Sequence, residues 1–281
     1  MFRLFLLPIL LSSFLLQAAQ GRPEADDERA FAWSVVPQFS PTVVHRDWTP
    51  LLNELTRRTG YRFKLLPASG FDEFERSLYE GVYDFVYANP YQTLIARRQQ
   101  GYVPLIRDEQ RRLTGILVVR KDSPYRTPQD LDGKTIAFAS PNAFAVSLYM
   151  RAQLRQREGI DFKPVWTGTH SNAYRQVLLG RADASGGIYR TLEKEPEPAR
   201  QLLRIIYSLP STVTHAVSAH PRVDEAVRQD VERSLLDMAQ TEQGRELLAA
   251  VFLPQPVSAD FDRDYRPLER LNLDELVVLP R

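Results

Sequence analysis

Cysteine is absent from this 281-residue chain. That excludes disulfides, thiolate metal sites, a cysteine nucleophile and a lipid-modified N-terminal cysteine. The common catalytic signatures are missing too: no G-x-S-x-G elbow, no H-E-x-x-H, no P-loop and no G-x-G-x-x-G occurs. The four histidines form no i, i+4 pair, and His45, His215 and His220 are too scattered for a metal site. Neither sign of charge dominates, with 36 Lys+Arg against 35 Asp+Glu and a net charge of +1. That balance suggests neither nucleic acid nor an anionic membrane as a partner. The expectation is a binding protein rather than an enzyme, with no cofactor and no metal.

Long apolar runs are scarce. One occurs at Leu4 to Leu16, behind Arg3 and ahead of Gln17-Ala18-Ala19-Gln20-Gly21. A short apolar core with a positive start and small residues after it reads as a secretory signal over 1–21, cleaved near Ala19 to Gly21. The alternative, an uncleaved membrane anchor, is disfavoured by the short length. No other stretch approaches ~18 continuous apolar residues, so the mature chain is expected to be soluble, in the bacterial periplasm. Lacking disulfides, it must rely on its hydrophobic core, and ~260 residues are enough for one or two cores.

What is present is a repeated strand–helix rhythm. Phe31, Trp33 and Val35 alternate as in a strand, and Thr49-Pro50 reads as an N-cap with proline at the first helical position. Gly60 stops that helix, and Tyr61, Phe63 and Leu65 alternate again. A helix near Asp72 to Glu80, a strand at Tyr83 to Tyr87 and a helix opened by Asn89-Pro90 follow. Short connections in a βαβαβα order predict a parallel sheet covered by helices. Leu113 to Val119 reads as a further strand, and the polar run Arg120 to Pro124 as a crossing into a second unit of the same kind. The chain returns to the first unit through the strand Leu202 to Tyr207 and the run Val213 to Ser218. Helices near 223–239 and 241–252 and a surface-lying tail from Pro254 complete it.

The fold class is therefore α/β, with two Rossmann-like domains, a hinge and an interdomain ligand cleft. Residues 22–121 plus 209–281 would form domain I, and 122–208 domain II. A simple tandem arrangement, needing one linker, stays open. Ligands of such sheets gather where strands end and helices begin, which is where Gln38, Ser40, Tyr87, Asn89 and Tyr91 fall.

The focal stretch is TIAFASPNAFAVSLYMRAQLRQR, Thr135 to Arg157. A strand runs through Ser140, Pro141 and Asn142 into a helix. Asn142 is an apt N-cap, its side-chain oxygen accepting from free amides of the first turn. Amides at Asn142, Ala143, Phe144 and Ala145, backed by the helix dipole, suit an anion. The plain alternative is an ordinary strand-to-helix turn with water on those amides. Similar alternatives attach to the other candidates. His170, beside Ser171, reads as a ligand group or a capping histidine, Tyr87 and Tyr91 as cleft or core aromatics, Asn89 as ligand group or cap, and Arg190 as cleft or solvated residue.

The segments VPQFSP, DWTPLLNELTRRTG, YDFVYANPYQ, VVRKDSPYRTPQDLDGKTIAFASPNAF and GTHSNAYRQVLLGRADA together resemble the phosphate/phosphite/phosphonate-binding proteins of bacterial ABC importers. These are type 2 periplasmic binding proteins, and the resemblance spans Phe31 to about Phe252. It implies that Tyr87 is the aromatic and His170 the histidine holding an oxyanion, with a membrane permease as partner. It also shows a departure. Where the family carries Ser-Thr-Ser after the asparagine, this chain has Ala143, Phe144 and Ala145. Either other groups hold the anion, or the ligand presents an apolar part to Phe144. The positions that hold an amine in relatives fall near Arg190 and His215, which disfavours an aminoalkyl ligand. The expected function is capture of a phosphate, phosphite or phosphonate-like oxyanion by a monomer for an importer. The alternatives are presentation of the closed form to a membrane sensor kinase, or binding of a different small anion.

Overall fold

The structure, a computed structural model, describes residues 30–110 and 112–278; the expected signal segment lies outside them. In chain order the first half gives β1 (Phe31–Val35), α1 (Pro41–Thr59), β2 (Phe63–Leu65), α2 (Phe71–Tyr79), β3 (Phe85–Ala88), α3 (Pro90–Gln100) and β4 (Val103–Asp108). Next come β5 (Gly115–Arg120), β6 (Thr135–Phe138), α4 (Tyr149–Gln156), β7 (Lys163–Trp166), α5 (His170–Leu178), β8 (Ala184–Ile188), α6 (Tyr189–Glu193), α7 (Glu197–Gln201) and β9 (Leu203–Ser208). The chain then forms β10 (Ala216–Ala219), α8 (Glu225–Met238), α9 (Glu242–Ala250) and β11 (Pro256–Ser258).

These strands make two sheets. The first has the order β11-β4-β10-β3-β1-β2, with β1 parallel to β2 and β3, and β10 antiparallel to β3 and β4. The second has the order β7-β6-β8-β5-β9, with β6 parallel to β7 and β8. The chain crosses between Asp108 and Gly115 and returns between Ser208 and Ala216. Leu113 and Thr212 exchange both backbone hydrogen bonds, at 3.0 and 2.9 Å, so the two crossings lie side by side.

Three sequence expectations change. Helix α1 starts at Pro41 behind Ser40, and Pro50 lies inside it. Two Ser/Thr-Pro pairs each offered a legal first turn, and the earlier one nucleates the helix. Strand β5 belongs to the second sheet, where it pairs with β8 and β9, so the crossing precedes Gly115 rather than following Val119. The segment from Pro254 is not a surface tail throughout. Its strand β11 covers the open edge of β4, and Tyr265 is fully buried. An uncovered edge would leave a row of unpaired amides and carbonyls.

The first sheet's core centres on Trp33, which stacks on Phe85 with ring centroids 5.3 Å apart and meets Phe63 edge-on at 5.9 Å. Such pairs contribute about 0.5–1.5 kcal/mol beyond their buried area. Asp84 at the start of β3 is buried. It accepts from Ala32 N at 2.8 Å and pairs with Arg222 at 2.7 Å, tying the chain behind β10 to β1.

Candidate functional site

The focal turn departs from a regular helix start. Its first turn, Phe144–Leu148, is wide: Leu148 N–H donates to Ala143 O at 3.1 Å, and Tyr149 N–H to Phe144 O. The first amides of any helix lack an acceptor within it, which here leaves those of Phe144, Ala145 and Val146. Residues Ala143 to Val146 all line a cavity between the two sheets. Two glycines let this turn lie close to the second sheet. A Cβ on Gly115 would sit 2.3 Å from Ala145 O, and one on Gly186 would sit 2.0 Å from Val146 O. The smallness of Gly115 on β5 and Gly186 on β8 is therefore what lets the turn pack directly on the second sheet.

The cavity is tight, about 10 Å³ in volume, and is lined from both sheets. Val36, Gln38, Phe71 and Asn89 come from the first sheet's layer; His170, Ile188 and the focal turn come from the second. Leu113 and His215, on the crossing segments, close it. A wider compartment of about 310 Å³ adjoins it, sharing Leu113, Ile188 and His215 and adding Arg112, Tyr189 and Arg190.

One side-chain network organises the wall. Arg190, at the start of α6, donates to Gln38 Oε1, and Gln38 Nε2 lies 2.9 Å from His215 Nε2. Because the amide nitrogen can only donate, His215 Nε2 accepts from it, and Arg190 Nη2 lies 3.3 Å from both ring nitrogens. Arg190 also reaches Tyr87 Oη at 3.4 Å, and the His215 ring stacks on Tyr87 at 5.2 Å. Arg190 and Lys194 lie over the ring of Phe252, at 4.6 and 4.7 Å. Phe252 itself holds a positive φ of 66°.

His170 is buried at the first position of α5, with Nδ1 3.1 Å from Thr191 Oγ1. Burial, with the Arg190 charge adding to it, pushes its pKa down to about 3. Burial does the same to His215, followed by the charges of Arg190 and His170. Both imidazoles are therefore neutral near pH 7, and the network's positive charge rests on Arg190.

The structure brings together Gln38, Asn89, Ala143, Phe144, Ala145 and His170 around the cavity, with Tyr87 and Arg190 joined to them through Gln38. Asn89 also caps α3, accepting from Gln92 N at 2.9 Å. Tyr91 is not in the lining; its hydroxyl bonds Asp274, and its ring lies parallel to Phe144 at 6.4 Å. Ser171 is likewise outside the lining. Asn142 caps nothing. Its carboxamide is taken up by Glu75 and Val278, which outcompete the local amides. His215, Val36, Phe71, Leu113, Val146 and Ile188 complete the wall without having been singled out as site residues. His215 alone carried a signal, its alignment with an amine-holding position.

Two α/β sheets linked by paired crossings, with a small cavity between them, define a two-lobed solute-binding protein of the type 2 periplasmic class. Residues 33–265 match the family described as the periplasmic phosphonate substrate-binding protein of ABC transporters. The chain belongs to that family, whose function is capture of phosphonate-type solutes for an ABC transporter. PhnD1 from Prochlorococcus marinus (MIT 9301), solved in complex with methylphosphonate, is 17% identical with a TM-score of 0.77, covering 86% of this chain and 97% of that one. A binding component of a phosphonate ABC transporter from Pseudomonas aeruginosa is 13% identical with a TM-score of 0.78, covering 86% and 85%. XAC2383 from Xanthomonas citri, solved with ATP, is 19% identical with a TM-score of 0.69, covering 88% and 95%. No curated protein sequence matches the chain.

Proposed function

We propose that this chain captures a small phosphorus oxyanion bearing one substituent that does not hydrogen-bond, and delivers it to the permease of an ABC importer. The observation that carries this reading is that Ala143, Phe144, Ala145 and Val146, none with a side-chain donor, all line the cavity. Amides of that turn, with His170 and Arg190, would supply donors for three oxygens. The side chains of Ala143, Phe144 and Ala145 supply none for a fourth. Each charge-assisted hydrogen bond contributes about 1.5–3 kcal/mol, and leaving an acceptor of a buried anion unmet costs on a similar scale. A methyl or hydrogen on phosphorus fits such a wall; the fourth oxygen of phosphate does not.

Thr191 Oγ1 donates to Ile188 O at 3.0 Å and lies 3.1 Å from His170 Nδ1, which holds the imidazole in place at the cavity. On this reading domain I and domain II divide at the paired crossings, and closure of the lobes excludes water from the anion. The signal segment 1–21, the periplasmic location and the monomeric state belong to the same reading, as does binding without catalysis. Transport is preferred to presentation to a sensor kinase because the family description names a transporter.

The test is a thermal-shift series with methylphosphonate, phosphite, phosphate and sulfate on two proteins. One is the native chain and the other carries Ala143→Ser, Phe144→Thr and Ala145→Ser. The native chain should be stabilised most by methylphosphonate or phosphite, and the triple variant should gain response to phosphate. An identical ligand order in both would show that this wall does not face the ligand.

A further inference from the structure

Asn142 directly precedes the open amides, yet its side chain faces away from the cavity and is held by two distant segments. Nδ2 donates to Glu75 Oε2 at 2.7 Å and to Val278 O at 2.7 Å, while Oδ1 accepts from Val278 N at 3.0 Å. Glu75 is buried on α2, and its other oxygen accepts from Gln92 Nε2 at 2.9 Å. Gln92 in turn forms the reciprocal cap with Asn89, which lines the cavity. A continuous chain of hydrogen bonds thus runs from Val278 through Asn142 and Glu75 to the cavity's opposite wall.

The segment 274–278 is fastened at both ends. Asp274 accepts from the hydroxyl of Tyr91 and pairs with Arg98, both on α3 of the first sheet's layer. Leu276 O accepts from Arg151 Nη2 at 2.9 Å, and the same nitrogen donates to Pro141 O at 2.9 Å. Arg151 belongs to α4, the helix that continues the focal turn, and is buried with its guanidinium 5.4 Å over Trp166. Residues 274–278 also lie beyond the residues that match the family, 33–265.

We propose that residues 274–278 form a strap that positions the anion-binding turn, acting through Asn142 and Arg151, and holds the two lobes in their binding geometry. Asn142, Arg151 and Glu75 are positioning residues; none of the three lines the cavity. Ordering a loop before the ligand arrives removes that cost from binding, so a fastened turn binds more tightly than a loose one. Bonds that exist only when the lobes are together also favour the closed population. This inference rests on the reading of Ala143 to Val146 as the anion-binding wall.

The test compares the native chain, a chain ending at Leu273, Asn142→Ala, and the two changes combined. Methylphosphonate affinity is measured by calorimetry and amide exchange over residues 143–148 by mass spectrometry. Each single change should weaken binding at least tenfold and speed exchange in that stretch, while cooperative unfolding is retained. The combined variant should lose less than a further twofold, because both changes release one clamp. A purely structural role would lower the melting temperature without moving affinity, and that result overturns the proposal. So would fully additive losses, or unchanged exchange in the shortened chain. If the native chain binds no phosphorus oxyanion, the site reading falls and the affinity part with it; the exchange comparison still decides the strap.

Discussion

The guanidinium of Arg190, carried by the second sheet's layer, hydrogen-bonds the side-chain oxygen of Gln38, carried by the first. That bond joins the lobes at the cavity and fixes the Gln38 amide so that its nitrogen meets His215. Arg190 therefore links charge, closure and the placement of His215 in one residue.

Replacing it should be costly. Arg190→Met should weaken oxyanion binding by ten- to a hundredfold, equivalent to about 1.5–3 kcal/mol for a charge-assisted bond. Arg190→Lys should recover only part of this, because an ammonium cannot reach Gln38, Tyr87 and His215 in the fork geometry of a guanidinium. Calorimetric titration of both variants checks the order; full activity in Arg190→Lys would show that charge alone matters.

Thr191 offers a subtler test. Its hydroxyl lies 3.1 Å from His170 Nδ1 and 2.9 Å from Tyr174 Oη. Thr191→Val keeps the shape but removes the hydroxyl that contacts His170 Nδ1 and Ile188 O. The expected outcome is a three- to thirtyfold loss of affinity, with altered ¹⁵N shifts of His170. Unaltered shifts and affinity would show that this hydroxyl does not position the ring.

The strand–helix rhythm and both sheets were largely legible in the sequence because their signals are local. Gly60 and Gly101 do close α1 and α3 in the left-handed conformation, with φ of 79° and 76°. That Gln38 and the focal turn face a common cavity was legible from their place at strand-to-helix ends, and that His170 joins them from the family resemblance. What escaped is non-local. Asn142 has the chemistry of a cap, but its partners lie 67 and 136 residues away. His215 sits on a crossing with no motif around it, and becomes part of the wall only when both sheets are assembled. The edge strand β11 pairs with β4 across more than a hundred residues, and three residues carry too little periodicity to announce a strand.

Gly186 should tolerate no side chain. A Cβ there meets Val146 O at 2.0 Å and the Phe138 ring at 2.6 Å. Gly186→Ala must displace the turn or the sheet, at a cost of roughly 1–3 kcal/mol or more. Denaturant unfolding should show a lower midpoint, and the folded fraction should bind oxyanion more weakly. An unchanged midpoint would mean that the turn does not lie against β8.

The pH dependence of stability follows from three buried groups. His170, with its pKa pushed down from 6.5 to about 3, binds fewer protons folded than unfolded across that interval. Its contribution is therefore complete above pH 6.5 and is lost as pH falls toward 3. His215 acts in the same direction. Glu75 opposes them. Burial raises its pKa from 4.5 to about 7, with the neighbouring Asp72 charge adding to it, while bonds from Asn142 and Gln92 pull the other way. Its contribution is complete below pH 4.5 and is lost as pH rises through 7. Each proton corresponds to a slope of about 1.4 kcal/mol per pH unit. Stability should decline as pH falls below 6, and Glu75→Gln should steepen that decline between 4.5 and 6.5. Urea unfolding at half-unit pH steps measures both; a native profile flat from pH 7 to 4.5 would contradict the buried neutral imidazoles.

The central claim is that the cavity wall at Ala143 to Val146 selects an oxyanion carrying one apolar or hydrogen substituent. Calorimetric titration of the mature chain with methylphosphonate and with phosphate at pH 7.5 addresses it most directly. The account predicts one saturable site for methylphosphonate in the micromolar range, about 8 kcal/mol, and phosphate weaker by at least tenfold. Phosphate binding as tightly as methylphosphonate, or no heat with either, would contradict it.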